Sequence, residues 1–206
     1  MNVSIVNSQG GRRTQAQRRA TSRAALLEAA AKGISRYGYG NVVLEEVARE
    51  AGYTRGALYH LFDGKEQLAL AVVEWVARTW EDEVWQPAQS ATAPTDVLIA
   101  LARGHIVFCR RDIARVMMAL RVEFAGRDHP VGRAVDEIGQ GLAARFSALI
   151  NAGRRTGAIP PGPPARTLAV AAISAMEGLA IQIAGDRHDG LVAERMIRGI
   201  LGMPPV

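Results

Sequence analysis

The chain has 206 residues, 49% of them hydrophobic, enough for one substantial core or a small domain packed on a larger one; a disordered chain is excluded. Lys and Arg total 25 against 20 Asp and Glu, and the excess gathers early, at Arg12, Arg13, Arg18, Arg19 and Arg23, as expected of a segment that meets phosphate, although a solvated tail has the same composition. One cysteine, Cys109, rules out an intrachain disulfide or multi-cysteine metal cage, and the opening MNVSIVNSQGG lacks the form of a secretory signal, so a cytoplasmic protein without a cofactor is expected.

Ala, Leu, Arg and Glu recur at helical spacing and no stretch alternates with β-branched residues, which predicts an all-α protein. The first helix is expected over about 18–37, with Leu27, Ala30, Ile34 and Tyr37 as its apolar stripe, ending in the glycines of YGYG. The second is placed at about 43–51 and the third at about 54–62. Asp63 and Glu66 have capping-box spacing, so a long fourth helix should start there, run through Leu68, Val72, Trp75, Val76 and Thr79, and stop before Pro87. Further helices are predicted at about 95–110, 112–125, 130–155, 164–184 and 191–201, with GAIPPGPP unable to continue a helix. The stretch 167–184 approaches membrane length, but it contains Glu177 and Gln182 and reads as a packed helix, so no membrane partner is expected.

Within the second and third helices, Ala48, Gly52 and Leu58 are spaced as a helix-turn-helix requires: a small residue where the helices touch, a turn permitting positive φ, and an apolar lock. Thr54 falls at the N-cap of the third helix, which leaves the first backbone amides pointing outward beside Arg55, Gly56 and Ala57. Such a helix can place its leading residues in a major groove about 12 Å wide. Arg55 reaches guanine edges or phosphate and Gly56 permits close backbone approach. Tyr59 and His60, one turn on, suit phosphate or a thymine methyl. Lys65 opposes the macrodipole in the first turn of its helix; a nearby phosphate explains it, and so does simple solvation. Arg18 completes the expected DNA-contacting set.

The stretch from about 24 to 68, including YGYG, VAREAGYTRGALYHLF and DGKEQL, resembles the DNA-binding domain of the tetracycline repressor (TetR) family of bacterial regulators. The later helices are similar to that family's regulatory domain in number, length and order. The resemblance implies DNA contact for Thr54, Arg55, Gly56 and Tyr59 and a phosphate contact for Lys65. Two departures stand out. Val42 and Val43 occupy the place of the usual Thr or Ser ahead of the second helix, where Asn41 is an alternative cap. Leu61 precedes Phe62 where many members have His, with His60 one residue earlier.

The resemblance also implies an arm at 1–17, a helix-turn-helix domain at 18–66 and a regulatory domain at 67–206. In the latter, Trp75, Trp80, His105, Phe108, Met117, Arg121, Phe124 and Met176 are expected to line a pocket for a largely apolar effector, though Met and aromatic residues, Trp85 and Met118 among them, equally fill cores. His105 on an apolar face offers a hydrogen bond to a ligand or to a neighbouring carbonyl, and Arg121 and Glu123 offer polar contacts or face water. Small residues in the helices at 130–155 and 164–184, including Gly139, Gly141, Ala143, Ala144, Ala169, Ala171, Ala172, Ala175, Gly178 and Ala180, suit close packing in a four-helix homodimer interface. An enzyme is the main rival, since GQGLAA at 139–144 spells a dinucleotide loop, but it lies inside a helical pattern rather than after a strand. The expectation is therefore a homodimeric repressor, not an enzyme, that reads double-stranded palindromic DNA and is released by an effector. The fourth helix would be the lever; the alternative is a constitutive regulator with no effector.

Overall fold

The computed structural model describes residues 14–205, and all regular structure in that span is helical. Helix α1 (Gln15–Asn41) starts earlier than about 18 because Thr14 and Gln17 form a capping box: the Gln17 amide donates to Thr14 Oγ1 at 3.2 Å and the Thr14 amide donates to Gln17 Oε1 at 2.8 Å. Arg18 and Arg19 are thus helical, while Arg12 and Arg13 lie outside the described residues. Leu26, Leu27, Ala30 and Ile34 are buried, but Tyr37, expected on that stripe, is 61% exposed. The helix breaks at Gly38 (φ 77°), so Tyr39 is the aromatic that turns inward. Asn41 donates from Nδ2 to the Tyr37 carbonyl at 2.9 Å; it closes α1 rather than capping the next helix.

Helix α2 (Leu44–Glu50) begins at Val43 without a side-chain cap and buries Leu44, Val47 and Ala48. Gly52 (φ 76°) makes the turn, and the Tyr53 amide donates to the Ala48 carbonyl at 2.8 Å. Helix α3 (Arg55–Tyr59) is shorter than predicted; the Leu61 and Phe62 amides both turn back to the Leu58 carbonyl, and Phe62 is buried. Thr54 Oγ1 accepts from the Ala57 amide at 3.2 Å, the cap the spacing predicts. Leu58 is fully buried.

Helix α4 (Gly64–Trp80) does not use the Asp63–Glu66 box: Asp63 makes no side-chain cap, and Gln67 Oε1 reaches back to accept from the Asp63 amide. Nor does the helical path stop before Pro87. A π-helical turn (Glu81–Trp85) widens it, and a one-turn α5 (Gln86–Ala88) follows with proline in its first turn. The wider turn relieves the clash that a proline ring makes with the carbonyls behind it.

The remaining chain forms α6 (Pro94–Phe108), a 3-10 turn (Asp112–Arg115), α7 (Val116–Glu123), α8 (Pro130–Arg155), α9 (Ala165–Ile183) and α10 (Asp189–Leu201). GQGLAA lies within α8, away from any helix start. Helix α9 is long and apolar enough to cross a membrane by length and composition, but it packs on α6, α8 and α10 and carries Glu177 paired to Arg121, as a bundle helix does. Two buried acids fasten α10 to α6 and the turn that follows it: Glu194 pairs with Arg103 and Asp189 with Arg110, while Glu194 also pairs with Arg198 within α10.

Candidate functional site

On α3, Leu58 faces inward while Thr54, Arg55, Gly56, Tyr59 and His60 are exposed together and Ala57 is half-buried at the tip. Arg55 Nε lies 2.9 Å from Glu45 Oε1, and its guanidinium stands 5.3 Å from the centre of the Tyr59 ring. A solvent-exposed pair of this kind holds the arginine weakly, so it can exchange Glu45 for a base edge or a phosphate. Arg18 is exposed on α1. Arg23, absent from the predicted set, lies over Phe62 at 5.5 Å and ties α1 to the end of the α3 segment. Val42 is buried and Val43 exposed, so no hydroxyl replaces the usual one ahead of α2.

Lys65 has a local partner that its sequence position does not disclose. Its Nζ donates to the Gly40 carbonyl at 2.8 Å and sits 4.9 Å from the centre of the Tyr39 ring, leaving further N–H donors. Partial burial lowers its pKa, opposed by the Glu123 carboxylate. That carboxylate accepts from the Tyr39 amide at 2.6 Å and the Gly40 amide at 2.7 Å, clamping the end of α7 to the YGYG turn. A Cβ on Gly38 would lie 2.9 Å from Glu123 Oε2, so the glycine makes room for the clamp. Ser35 and Arg36 add bonds to Asp112 just ahead of α7. Glu123 therefore serves the clamp and not the pocket. Phe124, expected in the pocket, stacks instead on His129 at 4.3 Å, with Tyr39 edge-on at 5.2 Å. The chain turns away from α7 at Phe124, which carries its ring to the α1 side.

Between α4, α6, α7, α8 and α9 lies a cavity of about 330 Å³, and Trp80, His105, Phe108, Met117, Arg121 and Met176 line it. Trp75 does not; at about 100° per residue it points roughly 140° away from Trp80, and it packs against the core instead. Trp80 Nε1 donates to His105 Nδ1 at 3.1 Å, which leaves the proton of neutral His105 on Nε2, 3.4 Å from Cys109 Sγ. Both ring nitrogens are thus engaged by protein. Burial pulls the His105 pKa from 6.5 down to about 4 and pushes the Cys109 thiol up to about 12, so both are uncharged at neutral pH.

A pH prediction follows from His105. The unfolded chain protonates this histidine below about pH 6.5 and the folded chain only near pH 4, so the histidine's contribution is complete above 6.5 and is lost as the pH falls toward 4. The loss is about 3 kcal/mol. Denaturant titrations should show this slope in the parent and a flatter one in His105→Gln.

Two close ion pairs frame the cavity: Arg121 Nη1 donates to both oxygens of Glu177 at 2.6 Å, and Arg145 is bidentate to Glu81, Nη1 at 2.7 Å and Nη2 at 2.9 Å. Arg145 holds the Glu81 carboxyl below its usual range and lies 3.4 Å over the Trp85 ring. Glu81, Arg115, Arg145 and Glu177 were not in the predicted lining, and nothing local marks them. Among the described residues no group of three or more His, Cys, Asp or Glu is placed to hold a metal.

Residues 26–72, the span of the α3 unit and its supports, match the sequence model of bacterial regulatory proteins, tetR family. The A-factor receptor protein of Streptomyces griseus is 31% identical over 113 residues, 54% of this chain and 39% of that protein. The HTH-type transcriptional regulator BetI of Agrobacterium fabrum is 31% identical over 86 residues, 42% of this chain and 41% of that protein. The chain thus spans well under half the length of the curated relatives it matches. The crystal structure of AibR in complex with isovaleryl coenzyme A and operator DNA shares the fold, with a TM-score of 0.70 at 21% identity over 89% of this chain and all of that one. With the capped α3, the glycine turn and the family match all in one segment, residues 26–72 of this chain are a helix-turn-helix segment of the tetR family of bacterial regulatory proteins.

Proposed function

We propose that this chain is a DNA-binding transcriptional repressor that reads a palindromic operator as a homodimer and lets go when a small, largely apolar molecule fills the cavity. The observation that carries the reading is the exposed tip of α3, where Thr54, Arg55, Gly56, Tyr59 and His60 are held on one face by buried Leu58. The likeness to BetI, a transcriptional regulator, and to AibR, bound to operator DNA and isovaleryl coenzyme A, supports it. On this reading residues 18–66, with α1 extended back to Gln15, form the DNA-reading unit, and 67–206 form the regulatory unit. The protein works in the cytoplasm, beside the DNA, and carries no catalysis.

The small residues of α8 and α9 divide between two roles. Ala143, Ala169, Ala172 and Ala180 are buried within the subunit, whereas Ala144 is exposed on α8, and Ala171 and Gly178 are exposed on α9 along with Val170 and Ile181, which are 48% and 52% exposed. That second face is the proposed contact with a second copy. Signal transfer uses α7 together with α4. Met117, Met118 and Arg121 line the cavity along α7 while Glu123, its last residue, grips the YGYG turn, and α4 runs from Lys65 beside that turn to Trp80 in the cavity wall. Ligand entry that shifts α7 changes the tilt of both α3 helices.

Selection from random duplexes with the purified full chain tests this reading. Enrichment of a palindrome with half-site centres about 34–36 Å apart is expected; no enrichment, with a monomer by light scattering, overturns it. Lys65→Ala should weaken binding across sequences and reduce the salt slope by about one. An unchanged slope would assign the ammonium wholly to the Gly40 carbonyl.

A further inference from the structure

We infer that the cavity takes an amphipathic monoanion, an apolar body with a single carboxylate-type head that pairs with Arg115. The inference rests on the proposed reading of the cavity as the effector site and names the chemistry that site selects. Among the described residues five charged side chains line the cavity, and four are already matched: Arg121, through Nη1, with both oxygens of Glu177, and Arg145 with Glu81 in a bidentate pair. Those pairs contribute no net charge. His105 and Cys109 contribute none either, because burial keeps the one unprotonated and the other protonated at neutral pH. What remains is the guanidinium of Arg115, which among the described residues has no hydrogen-bond or ion-pair partner. It ends the 3-10 turn, at the N-cap of α7, and is exposed.

The rest of the wall is apolar, with Met117, Met118, Ile138, Leu142, Ile173 and Met176 among its residues. A ligand that buries a hydrocarbon body against these side chains and leaves its head at Arg115 keeps that head partly hydrated. The desolvation that makes a deeply buried charge costly is thereby avoided. A carboxylate matches the planar guanidinium fork with two parallel N–H···O bonds; an uncharged head gives up the charge assistance, and an ammonium meets repulsion. The volume, about 330 Å³, is at the small end of ligand pockets and suits one short-to-medium chain.

Titration calorimetry on the full chain at neutral pH with decanoate, 1-decanol and decylammonium, which share one hydrocarbon chain, tests the inference. Decanoate should bind roughly five- to tenfold more tightly than decanol, and decylammonium most weakly. Arg115→Gln should bring decanoate down to the decanol level and leave decanol unchanged, with an unaltered melting temperature showing that the fold persists. Equal affinity for decanoate and decanol, a preference for decylammonium, or a decanoate preference that survives Arg115→Gln overturns the anion assignment alone. Binding of none of the three to the parent chain overturns the effector cavity itself and the inference with it, and favours a constitutive regulator.

Discussion

Replacing Arg55 with alanine is expected to weaken binding to a selected duplex by roughly ten- to a hundredfold, and to narrow its margin over random competitor, when measured by fluorescence anisotropy at fixed salt. The size follows from the chemistry of a bidentate base-edge contact, about 1–3 kcal/mol, lost from the leading turn of α3. The fold should not notice. Arg55 is exposed, its one ion pair is with the exposed Glu45, and neither holds a core residue in place. A melting temperature within about 2 °C of the parent is therefore expected. Equal losses on selected and random duplexes would recast Arg55 as a phosphate contact, and a large drop in melting temperature would make it structural.

Glu123→Ala is expected to have the largest effect on stability and on communication between the cavity and α3. The substitution leaves the Tyr39 and Gly40 amides without their acceptor and takes a carboxylate away from Lys65. Two charge-assisted bonds lost at a half-buried site amount to roughly 2–3 kcal/mol, or about 5–10 °C in melting temperature for a chain of this size. Gly38→Ala attacks the same clamp from the other side, because a Cβ there meets Glu123 Oε2 at 2.9 Å and the residue must hold φ 77°. The two substitutions together should cost less than the sum of each alone. Strict additivity in thermal melts would show that the glycine and the carboxylate act separately. In DNA-release assays the Glu123→Ala protein should bind effector as the parent does while its grip on DNA responds less.

Much of the chain was legible before folding because its determinants are close together along it. Ala48, Gly52 and Leu58 and the Thr54 cap act within one or two helical turns, and α8 falls where the prolines and apolar spacing place it. Even local rules misled where two neighbours competed. Asp63 and Glu66 had the spacing of a cap, yet Gln67 closes α4; Pro87 signalled a stop, yet a π-helical turn carries the helix through it.

The helical class, the helix-turn-helix and its capped α3 were set by residues a few positions apart, since periodicity and capping are short-range interactions. The cavity's charge balance and the clamp were decided only in three dimensions. Glu123 meets Tyr39 across 84 positions, Arg145 meets Glu81 across 64 and Arg121 meets Glu177 across 56. No spacing rule encodes such encounters, because they depend on the angles at which packed helices cross, and those angles are chosen by side-chain packing over the whole core.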